Sequence, residues 1–269
     1  MSDAIAAVWQ ALKALPKPSL HELFGATDRL ETWSSKLDLP GGAVRFDWSK
    51  MHLDAAHGAG FMKLAEAAGF ARLRGAMFAG EHINVTEDRA VEHTALRGVG
   101  RDTSVEEAHA LHLRMKSLVE AIHQGALGPV KHLIHIGIGG SALGPALAVD
   151  ALARDGAFVD VHVVSNIDGC ALEAAFKACD PATTMVALAS KTFTTTETIT
   201  NALSTLEWLK HHGVSDPYGR VVALTAYPEK AVEWGVDETR VLPFSESVGG
   251  RYSLWSSIGF PIEIGRAHV

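Results

Sequence analysis

The nine residues SKTFTTTET, Ser190 to Thr198, contain one lysine, one glutamate and six hydroxyl side chains. Ser and Thr in such numbers are common turn material and good helix caps. With a lysine among them they are also the donors an oxyanion needs, because hydrogen bonds to a charged phosphate are worth roughly 1.5–3 kcal/mol each, about twice a neutral one. A second stretch, IGIGGSALGP from Ile136 to Pro145, offers backbone chemistry instead. Gly137, Gly139 and Gly140 let the main chain approach a ligand closely. Ser141 is placed to cap a following helix, leaving N–H groups and the positive end of the helix dipole facing outward, a geometry that suits phosphate. Pro145 falls near the first turn of that helix, where a missing N–H costs least. Taken alone, the glycine cluster is equally well explained as a bare strand-to-helix turn.

What decides between these readings is where the two stretches sit. From Lys131 onward, the short apolar runs KHLIHIGIG, FVDVHVVSN, TTMVALAS, RVVALTA and RVLPF alternate with the helix-length segments SALGPALAVDALA, ALEAAFKAC, TETITNALSTLEWLKHH and PEKAVEWG. Strands apolar on both faces, separated by helices, predict βαβ units and a parallel sheet covered on both sides. The expected fold is α/β, a doubly wound parallel sheet of about five strands. Ligands in such sheets bind beyond the carboxyl ends of the strands. Both stretches follow a strand and open a helix, so they are expected on one edge of the sheet, which favours a shared anion over two unrelated turns. The helix after the hydroxyl run carries an apolar stripe of Ile199, Leu203, Leu206 and Leu209.

The chain before about residue 130 has a different character. AIAAVWQALKAL and SVEEAHALHLRMKSLVEAIHQGAL repeat apolar residues at three and four positions and predict amphipathic helices. PGGAVRFDWSK reads as a loop and one small strand, too short to define a sheet of its own. Three segments are expected: a mainly helical N-terminal region (1–125), a ligand-binding sheet domain (126–262) and a tail (263–269).

Composition narrows the function. The 269 residues are 47% hydrophobic and 20% charged, ordinary for a globular protein. A net charge of −7 and an isoelectric point near 6.0 argue against a general nucleic-acid or acidic-membrane binder. The start of the chain has no basic segment followed by a long apolar run, and no later segment reaches the length of a membrane span, so a cytoplasmic protein is expected. Cys170 and Cys179 are too few for a disulfide framework and are expected to be reduced structural thiols. Of fourteen histidines, His132 and His135 face opposite sides of a strand and His109 with His112 lack an evident third ligand, so no metal site is expected.

GIGGSA satisfies the loose dinucleotide pattern G-x-G-x-x-A. The following strand, however, ends VVSNIDG, with Ser165 and Asn166 where a ribose-binding acid would stand and Asp168 in a turn, and no G-K-[ST] follows the glycines. A small phosphorylated metabolite fits better than a nucleotide.

IGIGGSALGP, VVSNIDG, ASKTFTTTETITNA and VGGRYSLWSSIG, in this order and spacing, closely resemble the glucose-6-phosphate isomerase family, and GEHINVTEDRAVEHTALR matches it upstream. The resemblance runs from roughly Gly80 to Phe260. It implies a sugar isomerase (SIS-type) domain behind a helical N-terminal region, a homodimer, and interconversion of glucose 6-phosphate and fructose 6-phosphate in glycolysis and gluconeogenesis with no metal or organic cofactor. It further implies that Gly140 and Ser141 contact the substrate and that the run Ser190, Lys191, Thr192, Phe193, Thr194 and Thr195 cradles its phosphate. Arg251 matches the arginine that steadies the enediolate, a reasonable task for a guanidinium fixed beside developing negative charge. Outside that motif Arg251 would read as an ordinary helix-start residue. Glu87, Asp88 and Arg89 read as a helix start with charges complementing the dipole, structural rather than catalytic.

Isomerisation also needs a general base and a ring-opening acid. In this family a glutamate, a histidine and a lysine supply them from the second half of the chain, and none of their motifs is present here. The family pattern is left after Ile262, and Glu263 to Val269 back-translate as GAG ATC GGA AGA GCA CAC GTC, similar to a sequencing-library adaptor. These seven residues are therefore expected to be a read artefact and the natural protein to continue. A truncated isomerase without its base is expected; the alternatives are a stand-alone SIS-type phosphosugar-binding or regulatory module and, more distantly, a nucleotide domain of dehydrogenase type.

Overall fold

The computed structural model describes residues 3–152 and 156–266. The chain divides into two compact units, Met1–Gly75 and Ala76–Val269. The expected boundary near residue 125 falls inside the second unit.

The first unit contains α1 (Asp3–Lys13), α2 (Leu20–Leu23), α3 (Arg29–Thr32), β1 (Ser34–Leu39), β2 (Gly42–Asp47) and α4 (Ala55–Ala67). Helices α1 and α4 pack together, with Gly60 lying against the Leu12 side chain. Arg29 is buried and donates to the carbonyls of Ser49, Met51 and Leu53 at 2.8–3.0 Å. Its guanidinium also stacks over Trp33. One guanidinium thus satisfies three carbonyls of an irregular segment that has no ladder partner. β1 and β2 form an antiparallel hairpin through Pro40 and Gly41, with Leu37 opposite Val44. The loop and small strand expected in PGGAVRFDWSK are present, and what is corrected is the expectation that they define no sheet of their own. The preceding SSKLDL, too polar to register as a strand, pairs with that strand because Gly41 takes the left-handed φ of 86° that a tight turn needs.

The second unit is built on a five-stranded parallel sheet of β3 (His132–Gly137), β4 (Asp160–Val164), β5 (Thr184–Ala189), β6 (Val221–Thr225) and β7 (Val241–Pro243), in the order β4-β3-β5-β6-β7. All five expected strands are present. Helix α5 (Phe70–Phe78) spans the boundary between the units. It is followed by α6 (Asp102–His123), α7 (Leu143–Leu152), α8 (Gly169–Ala178), α9 (Thr196–His211), α10 (Pro228–Trp234) and α11 (Phe260–Gly265). The sheet is doubly wound. Ile134, Ile136, Val186, Leu188 and Ala223 point to a core closed by Leu172 of α8, Leu206 and Leu209 of α9 and Ala231 of α10. Leu133, Met185, Ala187, Val222 and Leu224 point to the other face, closed by Met115, Val119 and Ile122 of α6 and by Phe260 and Ile264 of α11. Burial on both faces is why these strands read as continuous apolar runs and not as alternating ones. Ile264 is wholly buried, so the segment expected to be a tail joins the core at least to that residue; residues 267–269 lie outside the described residues.

No helix among the described residues is long and apolar enough to cross a membrane.

Candidate functional site

The strand order turns at β3, whose chain continues to β4 on one side while β5 lies on the other. In such a sheet the loops leaving the two strands at the switch point diverge and leave a crevice at their carboxyl ends. Gly137 pairs with Ala189 in register, so the glycine loop and the hydroxyl loop start level with each other. Ile138, Gly140, Ser141, Ala189, Ser190, Lys191, Thr192, Thr195, Thr198 and Gly250 line one open cleft of about 250 Å³. Ser141 and Lys191 therefore share a rim.

The glycine loop is shaped as much by its own packing as by any ligand. Gly139 adopts φ 55°, Gly137 lies against Ser141 and Ala189, and a Cβ on Gly140 would fall 2.2 Å from the carbonyl carbon of Gly250. Two backbones meet there. The close approach anticipated for a ligand is taken up at Gly140 by the segment carrying Arg251. Ser141 does not cap the next helix. It ends a 3-10 turn, Gly139–Ser141, two residues ahead of α7, and its carbonyl accepts a 2.7 Å hydrogen bond from His135 Nε2. Its hydroxyl has no partner among the described residues, and Ser141 lines the cleft.

The hydroxyl loop is braced from beneath. The Ser190 amide donates to Leu224 O, the Ala226 amide and Thr225 hydroxyl donate to Lys191 O, and Lys230 Nζ donates to Thr192 O. Ser190 Oγ and Thr195 Oγ1 lie 3.1 Å apart, and Thr194 Oγ1 donates to Thr192 Oγ1. Phe193 takes φ 55°, a rare value for an aromatic residue, and is held there because its ring is buried edge-on against Trp234. Its side chain is an anchor, not a ligand. Neither Phe193 nor Thr194 lines the cleft. Thr195 precedes the first residue of α9 but makes no side-chain cap, so the first N–H groups of a 16-residue helix open toward the cleft with the positive end of its dipole.

Lys191 is part-buried, with Nζ donating to Glu246 O at 2.6 Å and to Val248 O at 3.3 Å. Burial, assisted by the nearby Arg89 and opposed by Glu246, lowers its pKa to about 8. Arg89 is not at a helix start. Asn84 and Arg89 bridge across a tight turn in which Asp88 has φ 47°, and Arg89 pairs with Glu87. Acidic and basic residues clustered in a turn carry the same sequence signal as a capped helix start, which explains that misreading. Arg251 sits on a 3-10 segment, Gly250–Trp255, exposed and with no hydrogen bond or ion pair among the described residues. Gly250 lines the cleft and Arg251 follows it at the rim.

The phosphoglucose isomerase family model matches residues 47–268, which include every lining residue of this cleft. The chain belongs to the phosphoglucose isomerase family. It is 71% identical over 254 residues to a glucose-6-phosphate isomerase of Novosphingobium aromaticivorans, covering 94% of this chain and 50% of that protein. A glucose-6-phosphate isomerase of Erythrobacter litoralis is 64% identical over 274 residues, with coverage of 98% and 53%. The chain thus spans about half the length of the curated relatives it matches. A crystal structure of a glucose-6-phosphate isomerase from Chlamydia trachomatis superposes with a TM-score of 0.78 over 98% of this chain and 52% of that one; at 22% identity it speaks for the fold alone.

Ile138, Ala189, Thr198 and Gly250 line this family member's cleft without having been singled out as site residues in the sequence, and of these Thr198 alone brings a side-chain donor. Thr198 is 2% exposed, lines the cleft, and its hydroxyl has no hydrogen-bond partner among the described residues. A buried hydroxyl without a partner is uncommon. Its spacing of three from Thr195 on a helix was the available signal, since that spacing puts both hydroxyls on one face.

Proposed function

We propose that this chain supplies the sugar-phosphate-binding half of an aldose–ketose isomerase acting between glucose 6-phosphate and fructose 6-phosphate. The observation that carries the proposal is the shared cleft: the glycine loop after β3, the hydroxyl loop after β5 and Gly250 meet at the switch point of a parallel sheet. The phosphate is held by the Ser190, Thr192 and Thr195 hydroxyls, the Lys191 ammonium and the opening N–H groups of α9, with the Ser141 hydroxyl and the glycine-loop backbone facing the sugar. Thr198 adds a donor from below. Arg251, unpartnered at the rim, stabilises the charge of a cis-enediolate on the sugar oxygens. The proton transfer between adjacent carbons requires a base that this cleft does not contain: among its lining residues only Lys191 is titratable, and its Nζ is committed to two carbonyls. The base is assigned to a glutamate, and ring opening to a histidine and a lysine, in the half of the family's length that this chain does not span. Residues 126–262 form the sugar-phosphate-binding segment, a homodimer is the assembly, and the cytoplasm is the compartment of a glycolytic and gluconeogenic enzyme. No organic cofactor, nucleic acid or membrane enters this reading.

A stand-alone phosphosugar sensor is not favoured, because relatives at 71% and 64% identity are isomerases of about twice this length. The test uses the purified chain in two assays. Calorimetric titration with glucose 6-phosphate is expected to show saturable binding that Lys191→Met weakens at least tenfold, while a coupled assay for fructose 6-phosphate is expected to stay at background. Turnover above background would show that the base lies within these residues. Absence of saturable binding would remove the cleft as the phosphate site.

A further inference from the structure

At the opposite end of the sheet from the cleft, three ligating side chains converge that no nearby sequence spacing links. His132 opens β3, His162 lies in β4, and Cys179 ends α8. The β3–β4 register pairs His132 with Asp160 and Ile134 with His162, so both imidazoles project from the face that α8 covers. One ligand atom from each of His132, His162 and Cys179 lies within 4.8 Å of the other two. A separate observation points to something missing: His132 Nδ1 is buried without a hydrogen-bond partner among the described residues, an expensive condition for an imidazole nitrogen. Cys179 is free and buried, and the two imidazoles are half-buried, so the cluster is shielded yet reachable.

Two imidazoles and one thiolate are a donor set that suits a borderline-soft ion; copper takes it as a trigonal site with a long axial ligand, and zinc takes it as a tetrahedron completed by a fourth oxygen donor. With Zn–N near about 2.0 Å and Zn–S near about 2.3 Å, tetrahedral ligand atoms stand roughly 3.5 Å apart. The present separations need only about an ångström of inward movement to reach that. We propose that His132, His162 and Cys179 form a site for one Zn²⁺ ion, with Asp160 or a water in the fourth position. Binding is balanced as thiol plus Zn²⁺ giving zinc thiolate plus one proton released to solvent. A free thiol is mostly protonated at neutral pH, so the proton released on binding is measurable there. The ion would pin the amino ends of β3 and β4 to the end of α8. The cleft lies five residues along β3, roughly 17 Å away, so the site is structural.

The full chain, stripped by chelator, is titrated with Zn²⁺ alone by calorimetry in two buffers of different ionisation enthalpy, and separately with Co²⁺ followed by absorption. One equivalent is expected to bind with micromolar or tighter affinity, releasing one proton and raising Tm; the Co²⁺ form is expected to show tetrahedral d–d bands and a thiolate charge-transfer band. Cys179→Ser should remove the charge-transfer band and weaken binding at least tenfold. His162→Gln, at a more exposed position, should weaken it comparably while glucose 6-phosphate binding at the cleft stays unchanged, which separates ligand loss from misfolding. Uptake weaker than millimolar, or affinity unaltered in both variants, overturns the proposal.

Discussion

Lys191 shows how a single side chain can be both legible and misleading. A lysine among six hydroxyls points to an anion, yet in the folded chain its ammonium leans on the carbonyls of Glu246 and Val248, and burial lowers its pKa to about 8. A bound dianion would raise that value again, so binding above about pH 8 must take up a proton. The ester itself loses its second charge below about pH 6. Affinity for glucose 6-phosphate is therefore expected to plateau between these limits and to fall about tenfold per pH unit above about 8, read by calorimetry. Lys191→Met should weaken binding roughly 10- to 150-fold, the equivalent of about 1.5–3 kcal/mol, and flatten the alkaline limb; an unchanged limb would place the titration elsewhere. His135, fully buried in β3, works in the other direction of pH. Its folded pKa is about 4, against 6.5 when solvated, because burial disfavours the imidazolium. The unfolded state takes up the proton first on acidification, so stability is complete above about pH 6.5 and roughly 3 kcal/mol is lost as pH falls to about 4. Urea unfolding at stepped pH measures this, and His135→Asn should remove most of the slope. Nothing in the sequence marked His135 for burial, because one polar residue inside an apolar strand looks alike whether it is satisfied or orphaned. Thr198 was missed for a related reason: its chemistry comes from lacking a partner, which residue type cannot reveal.

The elements were far more legible than their connections. All five strands of the sheet and the helices between them follow from apolar runs buried on both faces and from three-and-four spacing, signals that depend on many residues at once. Connections depend on one or two dihedral angles. The hairpin at Pro40–Gly41, the turn at Glu87–Arg89 and the 3-10 turn at Gly139–Ser141 each rest on a left-handed residue, Gly41, Asp88 or Gly139; the first strand of the hairpin went unread, and the other two were read as helix starts. The Gly140–Gly250 contact is beyond any local signal, since it joins residues more than a hundred positions apart. It gives an asymmetric prediction. A Cβ on Gly140 would sit 2.2 Å from backbone atoms of Gly250, which cannot rotate away, whereas a Cβ on Gly250 would meet Gly140 only at an ordinary 3.6 Å. Gly140→Ala is expected to cost about 1–3 kcal/mol by overpacking and to displace the segment that carries Arg251, weakening sugar-phosphate binding. Gly250→Ala should stay within about 0.5 kcal/mol of the parent chain. Thermal unfolding of both variants decides it, and equal losses would mean that the two backbones are not in contact in solution.

At the scale of the whole molecule, the sheet is closed on both faces, while α7 carries large apolar side chains into solvent. Leu143 and Leu147, four residues apart on α7, are 71% and 72% exposed, and Trp255, on the 3-10 segment against which α7 packs, is 59% exposed. Single exposed apolar residues need no explanation, whereas three large ones on adjoining segments make a patch of the kind that proteins cover. Charge does little to protect it, because a net −7 spread over 269 residues is a weak repulsion at physiological salt, where screening acts within about 8 Å. Sequence alone could not show this, since Leu143 and Leu147 have the same spacing as the buried residues of α9 and only the packed structure separates an inward stripe from an outward one. Copies of this chain are accordingly expected to associate through α7 as concentration rises. Leu147→Lys should abolish the concentration dependence in sedimentation velocity while leaving Tm unchanged, because the side chain makes few contacts that folding uses. If the variant sediments as the parent does, association runs through another face; if its Tm drops, Leu147 is not exposed in solution as it is here.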